Sequence, residues 1–326
     1  VSDESGSGRV FGLGHPLARS LIYLGAAYVA MSLAAAAALS IQALFTAGRE
    51  GARSLAERVL ENPSGTDLVV LQMLAAPVAW IWTYFFRRKI DGRSFRALGL
   101  DTGNARPALL RSWIWGLLVP GLVLLAGLAA GFYRLSPDLG RPGSATGQLG
   151  IILLFLPGFL VEGATEELMI RGYVQRTMME WRAERGGLFW ILVVPAILFS
   201  LSHMANPDFG AVPFLNTVLI GILLGALVLR SGRLWSAIGL HAGWNFGLAC
   251  VWSLPVSGLE TPSFLRVELV EGARPEAARL ILGGGYGPEG GLAVTLLVIL
   301  ALSWVLPRAV EAGDRHPEDA AGVRTP

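Results

Sequence analysis

Apolar residues run through this chain in long blocks with short polar breaks between them. Segments at roughly 17–46, 67–86, 109–132, 147–170, 188–204, 212–229, 234–253 and 290–306 are apolar almost throughout. A helix needs about 20 such residues to cross the hydrocarbon core of a bilayer; the fifth and eighth segments are the shortest. The breaks carry Gly, Pro and charge, as in SPDLGRPGSATG at 136–147 and SLPVSGLETP at 253–262, the composition of interfacial turns. The pattern predicts an all-α protein, a polytopic transmembrane helix bundle of about eight spans. No block repeats another, so a transporter built from inverted repeats has no support.

Composition sharpens this picture. Hydrophobic residues make up 53% of the 326 and charged residues only 15%, outside the balance of soluble globular chains. The net charge of +2 is small and the basic residues are scattered, so nothing resembles a nucleic-acid footprint. The single cysteine, Cys250, lies in an apolar run, which excludes an internal disulfide and a cysteine metal cluster. The first apolar run is too long for the core of a cleavable signal peptide and reads as a span.

Alternate loops gather Arg87, Arg88, Lys89, Arg93, Arg96 and Arg106 on one face with Arg171, Arg176, Arg182, Arg185, Arg230 and Arg233. The bias of Lys and Arg toward the cytoplasm makes that face the inside, with both termini cytoplasmic. The reading is an integral multi-pass protein of a prokaryotic inner membrane. The expected organisation is a disordered tail at 1–16, two N-terminal spans in 17–94 and a core at 95–253. An extracytoplasmic loop at 254–289, a last span at 290–306 and a disordered tail at 307–326 follow. The loop at 47–66 has the pattern of a short amphipathic surface helix.

Ionisable groups inside spans are costly and mark function by default. The segment LVEGATEELMIRGYVQ, 160–175, carries Glu162, Glu166, Glu167 and Arg171; FSLSHMAN ends the fifth span with His203 and Asn206; LHAGWN in the seventh holds His241 and Asn245; Asn216 opens the sixth. Helical spacing makes these sets directional. His241 and Asn245 are four apart and share a face, Glu167 and Arg171 have the spacing of a pair, and Glu166 points about 100° away from Glu167. Phe199 stands four residues before His203. Each piece alone reads more readily as an interfacial salt bridge or a satisfied core histidine than as a catalytic group. A carboxylate, two imidazoles and an amide on three spans ask for one shared site. Glu162 and Asn216 read as groups that simply bond across helices.

These strings carry a resemblance. EELMIRG is similar to the EExxxR motif of the CPBP intramembrane proteases, the family of CAAX prenyl endopeptidases and bacteriocin-processing enzymes. FSLSH resembles its FxxxH motif and HAGWN its HxxxN motif, in the family's order. The resemblance covers about residues 95–250, beginning near SFRALGLD, with Ile170 where the family commonly has Phe. It implies an endopeptidase acting on a membrane-associated protein or peptide. Glu166 and His203 would activate water, His241 and Asn245 would receive the oxyanion, and Glu167 and Arg171 would support the site.

The residues themselves fit that chemistry, since a positioned carboxylate can take a proton from water and return it to a leaving amine, and paired donors stabilise the oxyanion. Three alternatives stand beside it. Glu166, His203 and His241 also form an N,N,O set of the kind catalytic zinc uses, although no HExxH helix is present and the amide of Asn245 suits a donor better than a ligand. The favoured reading needs no cofactor. A proton-relaying transporter or a non-proteolytic binding protein would use the same polar groups differently. At about 1.5 Å per residue, Glu166 falls near the inner face, His241 about 10 Å in and His203 about 22 Å in, so convergence requires tilted or kinked helices, as at Pro195, or a helix that starts later.

Overall fold

The computed structural model describes residues 15–61, 65–137, 145–182, 187–261, 263, 265–270 and 275–315. In chain order the helices are α1 (Pro16–Glu61), α2 (Gly65–Phe85), α3 (Ala105–Ala129), α4 (Ala145–Glu167), α5 (Arg176–Arg182), α6 (Val194–Leu201), α7 (Ala211–Ser231), α8 (Trp235–Phe246), α9 (Pro275–Leu282) and α10 (Leu292–Arg315). Two strands, β1 (Tyr133–Pro137) and β2 (Leu265–Leu269), pair antiparallel. The architecture is all-α apart from this ribbon, which ties the loop after α3 to the loop before α9.

Five helices among the described residues are long and apolar enough to cross a membrane: Pro16–Ile41, Val69–Ile90, Ala105–Ala129, Ala211–Ser231 and Leu292–Ala312. Their outer faces explain why these segments are apolar all round. Val29, Ile81, Trp115, Leu125, Leu296 and Trp304 are exposed large hydrophobics, suited to lipid and not to water. Eight spans were expected, and the segments at 147–170, 188–204 and 234–253 are helical without joining these five. The fifth is five π-helical residues, Phe189–Val193, followed by the eight of α6. The seventh is the 12-residue α8 with a five-residue π turn, Gly247–Val251. The expected surface helix at 47–66 is instead the far end of α1, which is continuous to Glu61. The last helix runs on to Arg315, past the boundary at 306. Of the expected tails, 1–14 and 316–326 lie outside the described residues.

Packing of α8 on α3 sets the frame for the polar residues. Gly239, Gly243 and Gly247 form a stripe on α8 at four-residue intervals. A methyl on Gly239 would collide with the carbonyl oxygen of Leu109, and one on Gly243 with that of Trp113. At Gly247 it would lie 2.9 Å from the oxygen of Leu117. The two helices therefore run parallel, backbone against backbone, as small-residue stripes allow between membrane helices.

A second frame is ionic. Arg87, which is 1% exposed, pairs with Glu180 at 2.6 Å and Asp91 at 3.5 Å. Arg19 reaches Asp91 at 3.1 Å and Arg93 reaches Glu180 at 2.7 Å. Burial pushes the Asp91 carboxyl above its ordinary range, with Arg19 and Arg87 pulling the other way. The cluster fastens α1 and the end of α2 to α5.

Candidate functional site

α4 and α8 meet antiparallel, and their polar residues meet as rungs. Glu166 Oε2 lies 3.9 Å from His241 Nε2. One turn away, Asn245 Nδ2 donates to Glu162 Oε2 at 3.5 Å. Between the rungs stands Gly163, where a Cβ would lie 3.2 Å from the Ala242 backbone nitrogen. The close approach is thus encoded by a glycine inside the acidic segment.

α4 ends at Glu167 and the chain passes into a π-helical stretch, Leu168–Gln175, buried throughout. Such wide turns are rare and recur at functional sites. Glu167, fully buried, uses one oxygen twice: Oε1 accepts from Arg171 at 2.7 Å and from His241 Nδ1 at 2.9 Å. Arg171 also donates to the Gly221 carbonyl at 3.2 Å, and Gln175 repeats the contact one turn on, donating to Gly225 O at 2.9 Å. Both receiving positions on α7 are glycines packed against their partners.

Phe199 joins the two histidines. Its ring centre is 4.8 Å from that of His203 and 5.8 Å from that of His241, and the guanidinium of Arg171 stands 4.4 Å above it. The last is a cation–π contact. His203 lies just beyond α6, in a turn, with Nδ1 2.8 Å from Phe199 O. A carbonyl only accepts, so Nδ1 carries the hydrogen, and in the neutral ring the lone pair is then on Nε2. The fifth helix runs Phe189–Leu201, π-helical to Val193 and α-helical from Val194, and His203 beyond its end lines the same cavity as Glu166 and His241.

Glu162, Glu166, His203, His241 and Asn245 all line one cavity of about 770 Å³. The expected site residues therefore divide: these face the cavity, while Glu167 and Arg171 stand behind as a buried ion pair. Tyr28 of α1, Gln72 of α2, and Trp244 and Glu289 line the same cavity. None of these four was marked by the sequence patterns: Tyr28, Gln72 and Glu289 arrive from segments without a motif, and Trp244 is an unspecified position inside HAGWN. Among the described residues no three His, Cys, Asp or Glu side chains are grouped to hold a metal ion. The set Glu166, His203 and His241 is not among such groups.

A multi-pass helical membrane protein with a carboxylate, two imidazoles and an amide lining one cavity is the class that fold and site define. Residues 148–247 match the family model described as type II CAAX prenyl endopeptidase Rce1-like. That stretch contains every residue of the site except those reaching in from α1, α2 and the segment before α10. No curated protein matches the chain, and no solved structure does.

Proposed function

We propose that this protein is an intramembrane endopeptidase that hydrolyses a peptide bond of a membrane-associated protein or peptide, using water activated by a glutamate. The observation that carries this reading is the division of labour between adjacent carboxylates. Glu167 is committed to Arg171 and His241, whereas Glu166 faces the cavity with His241 Nε2 as its near neighbour.

The steps follow from these positions. Glu166 takes a proton from water while the lone pair on His203 Nε2 accepts the water's other hydrogen. The water oxygen bonds to the carbonyl carbon, and the C=O π pair moves onto oxygen. His241 and Asn245 donate to that oxyanion. Because His241 already gives its Nδ1 hydrogen to Glu167, an N–H at Nε2 makes the ring an imidazolium, a stronger donor than the neutral ring. The C–N bond then breaks as Glu166 returns its proton to the leaving amine. The core at 95–253 would house this chemistry in a prokaryotic inner membrane, with both termini cytoplasmic by the distribution of Arg and Lys.

The test is cleavage of a quenched fluorescent peptide library by the purified protein in nanodiscs. Wild type is expected to cleave and Glu166→Gln to lose at least about 100-fold, the scale of a general base, with a zinc chelator leaving the wild-type rate unchanged. Equal cleavage by wild type and Glu166→Gln would refute the assignment, and a chelator-sensitive rate would require a metal.

A further inference from the structure

Glu289 lies outside the family domain, in a short 3-10 turn, Pro288–Gly290, just before α10. It is a carboxylate buried to 7% exposure, and its side-chain hydrogen-bond partners among the described residues are neutral. Oε1 accepts from the indole N–H of Trp244 at 2.9 Å. Oε2 accepts from the backbone N–H and the hydroxyl of Ser257, both at 2.7 Å. Its backbone oxygen accepts from Asn216 Nδ2 at 2.8 Å, and that amide also holds Gly291 O at 2.9 Å and takes the Thr295 hydroxyl at 2.7 Å.

Two of these partners lead directly to the site. Trp244 sits on α8 between His241 and Asn245. Ser257 accepts through its carbonyl from Asn206 Nδ2 at 3.0 Å, and Asn206 is in the same turn as His203, its N–H bonded to His203 O at 3.0 Å. A single side chain thus grips α8 and, one residue removed, the His203 turn, while Asn216 and Thr295 fasten it to α7 and α10.

We infer that Glu289 is a positioning residue for the proposed hydrolysis: it sets the distance between His203 on one wall and His241 with Asn245 on the other. The inference rests on the endopeptidase reading and extends it to a segment that carries no motif. Four neutral donors on the side chain and backbone of one residue, converging from three segments, exceed what closing a loop requires. Misplacing reacting groups by about 1 Å can cost on the order of 100-fold, so the strap should be felt in turnover.

The experiment measures kcat and KM in nanodiscs for a fluorogenic peptide that the wild type cleaves, with Glu166→Gln as reference. Glu289→Ala and Trp244→Phe are each expected to lower kcat roughly 10- to 100-fold with KM little changed. The double variant should be no worse than Glu289→Ala, as for residues acting through one contact. Glu289→Gln, which keeps the length and one acceptor, should recover part of the loss. Wild-type kcat in Glu289→Ala, or additive losses in the double variant, would overturn the inference. So would a fall in kcat that only follows the folded fraction. If Glu289→Ala does not fold, Trp244→Phe and Glu289→Gln decide the matter. Full activity in Glu166→Gln would instead remove the endopeptidase reading, an outcome separate from these.

Discussion

Glu167 holds His241 by its Nδ1 hydrogen across 2.9 Å and so turns Nε2 toward the cavity. The same oxygen is 2.7 Å from Arg171, and both members of that pair are at most 1% exposed. A buried ion pair contributes little net stability, yet removing one partner strands the other charge at a cost of about 3–5 kcal/mol.

Neighbouring glutamates should therefore fail in opposite ways. Glu167→Gln leaves Arg171 buried without a counter-charge and is expected to lower stability by about 3–5 kcal/mol, read as an earlier thermal unfolding transition in nanodiscs. Glu166→Gln, facing the cavity, should unfold where the wild type does while losing activity. Equal unfolding temperatures for the two variants would contradict the assignment of Glu167 as the buried anchor.

The rung from Asn245 to Glu162 makes a second, smaller prediction. An amide has two N–H groups; the carboxylate of Glu162 takes one at 3.5 Å and leaves the other for the oxyanion. Asn245→Ala should cost about 100- to 1000-fold in kcat as a lost oxyanion donor. Glu162→Gln should cost far less, and in the Asn245→Ala background nothing further, since its effect passes through the amide. A full additional loss in that background would give Glu162 a role of its own.

Much of the site could be read from spacing alone. Glu167 and Arg171, four apart, do pair, and His241 with Asn245, four apart, do face one cavity. What spacing could not supply was the third dimension. The depth assigned to His203 counted a straight α-helical rise from Leu188, whereas the segment opens with a π turn before the short α6, and His203 lines the same cavity as Glu166 and His241. A π turn has no signature in a 3.6-residue hydrophobic pattern, so the widening after Glu167 was equally invisible. Glu162 was read as a generic interhelical group, and only the antiparallel register of α4 on α8 shows that its partner is Asn245. Glu289 was beyond reach for a simpler reason: its partner Trp244 lies 45 positions away, and nothing local marks Glu289.

The glycine stripe of α8 carries the last prediction. Gly243 lies between His241 and Asn245 on the helix but on the face pressed to α3, where a Cβ would collide with the carbonyl oxygen of Trp113. That obstacle is backbone inside a helix, which cannot rotate away as a side chain would, so α8 itself must move. Gly243→Ala is expected to lower stability at or above the upper end of the usual overpacking cost of about 1–3 kcal/mol, and to reduce kcat in whatever fraction remains folded, because both proposed oxyanion donors, His241 and Asn245, shift with the helix. Gly150, with nothing within 4 Å of its built Cβ, provides the matched control: Gly150→Ala should change neither. Thermal unfolding and cleavage rates for the two alanine variants, measured in the same nanodiscs, check the argument. A Gly243→Ala protein as stable and active as Gly150→Ala would show that α8 does not ride on the backbone of α3 in the way this packing requires.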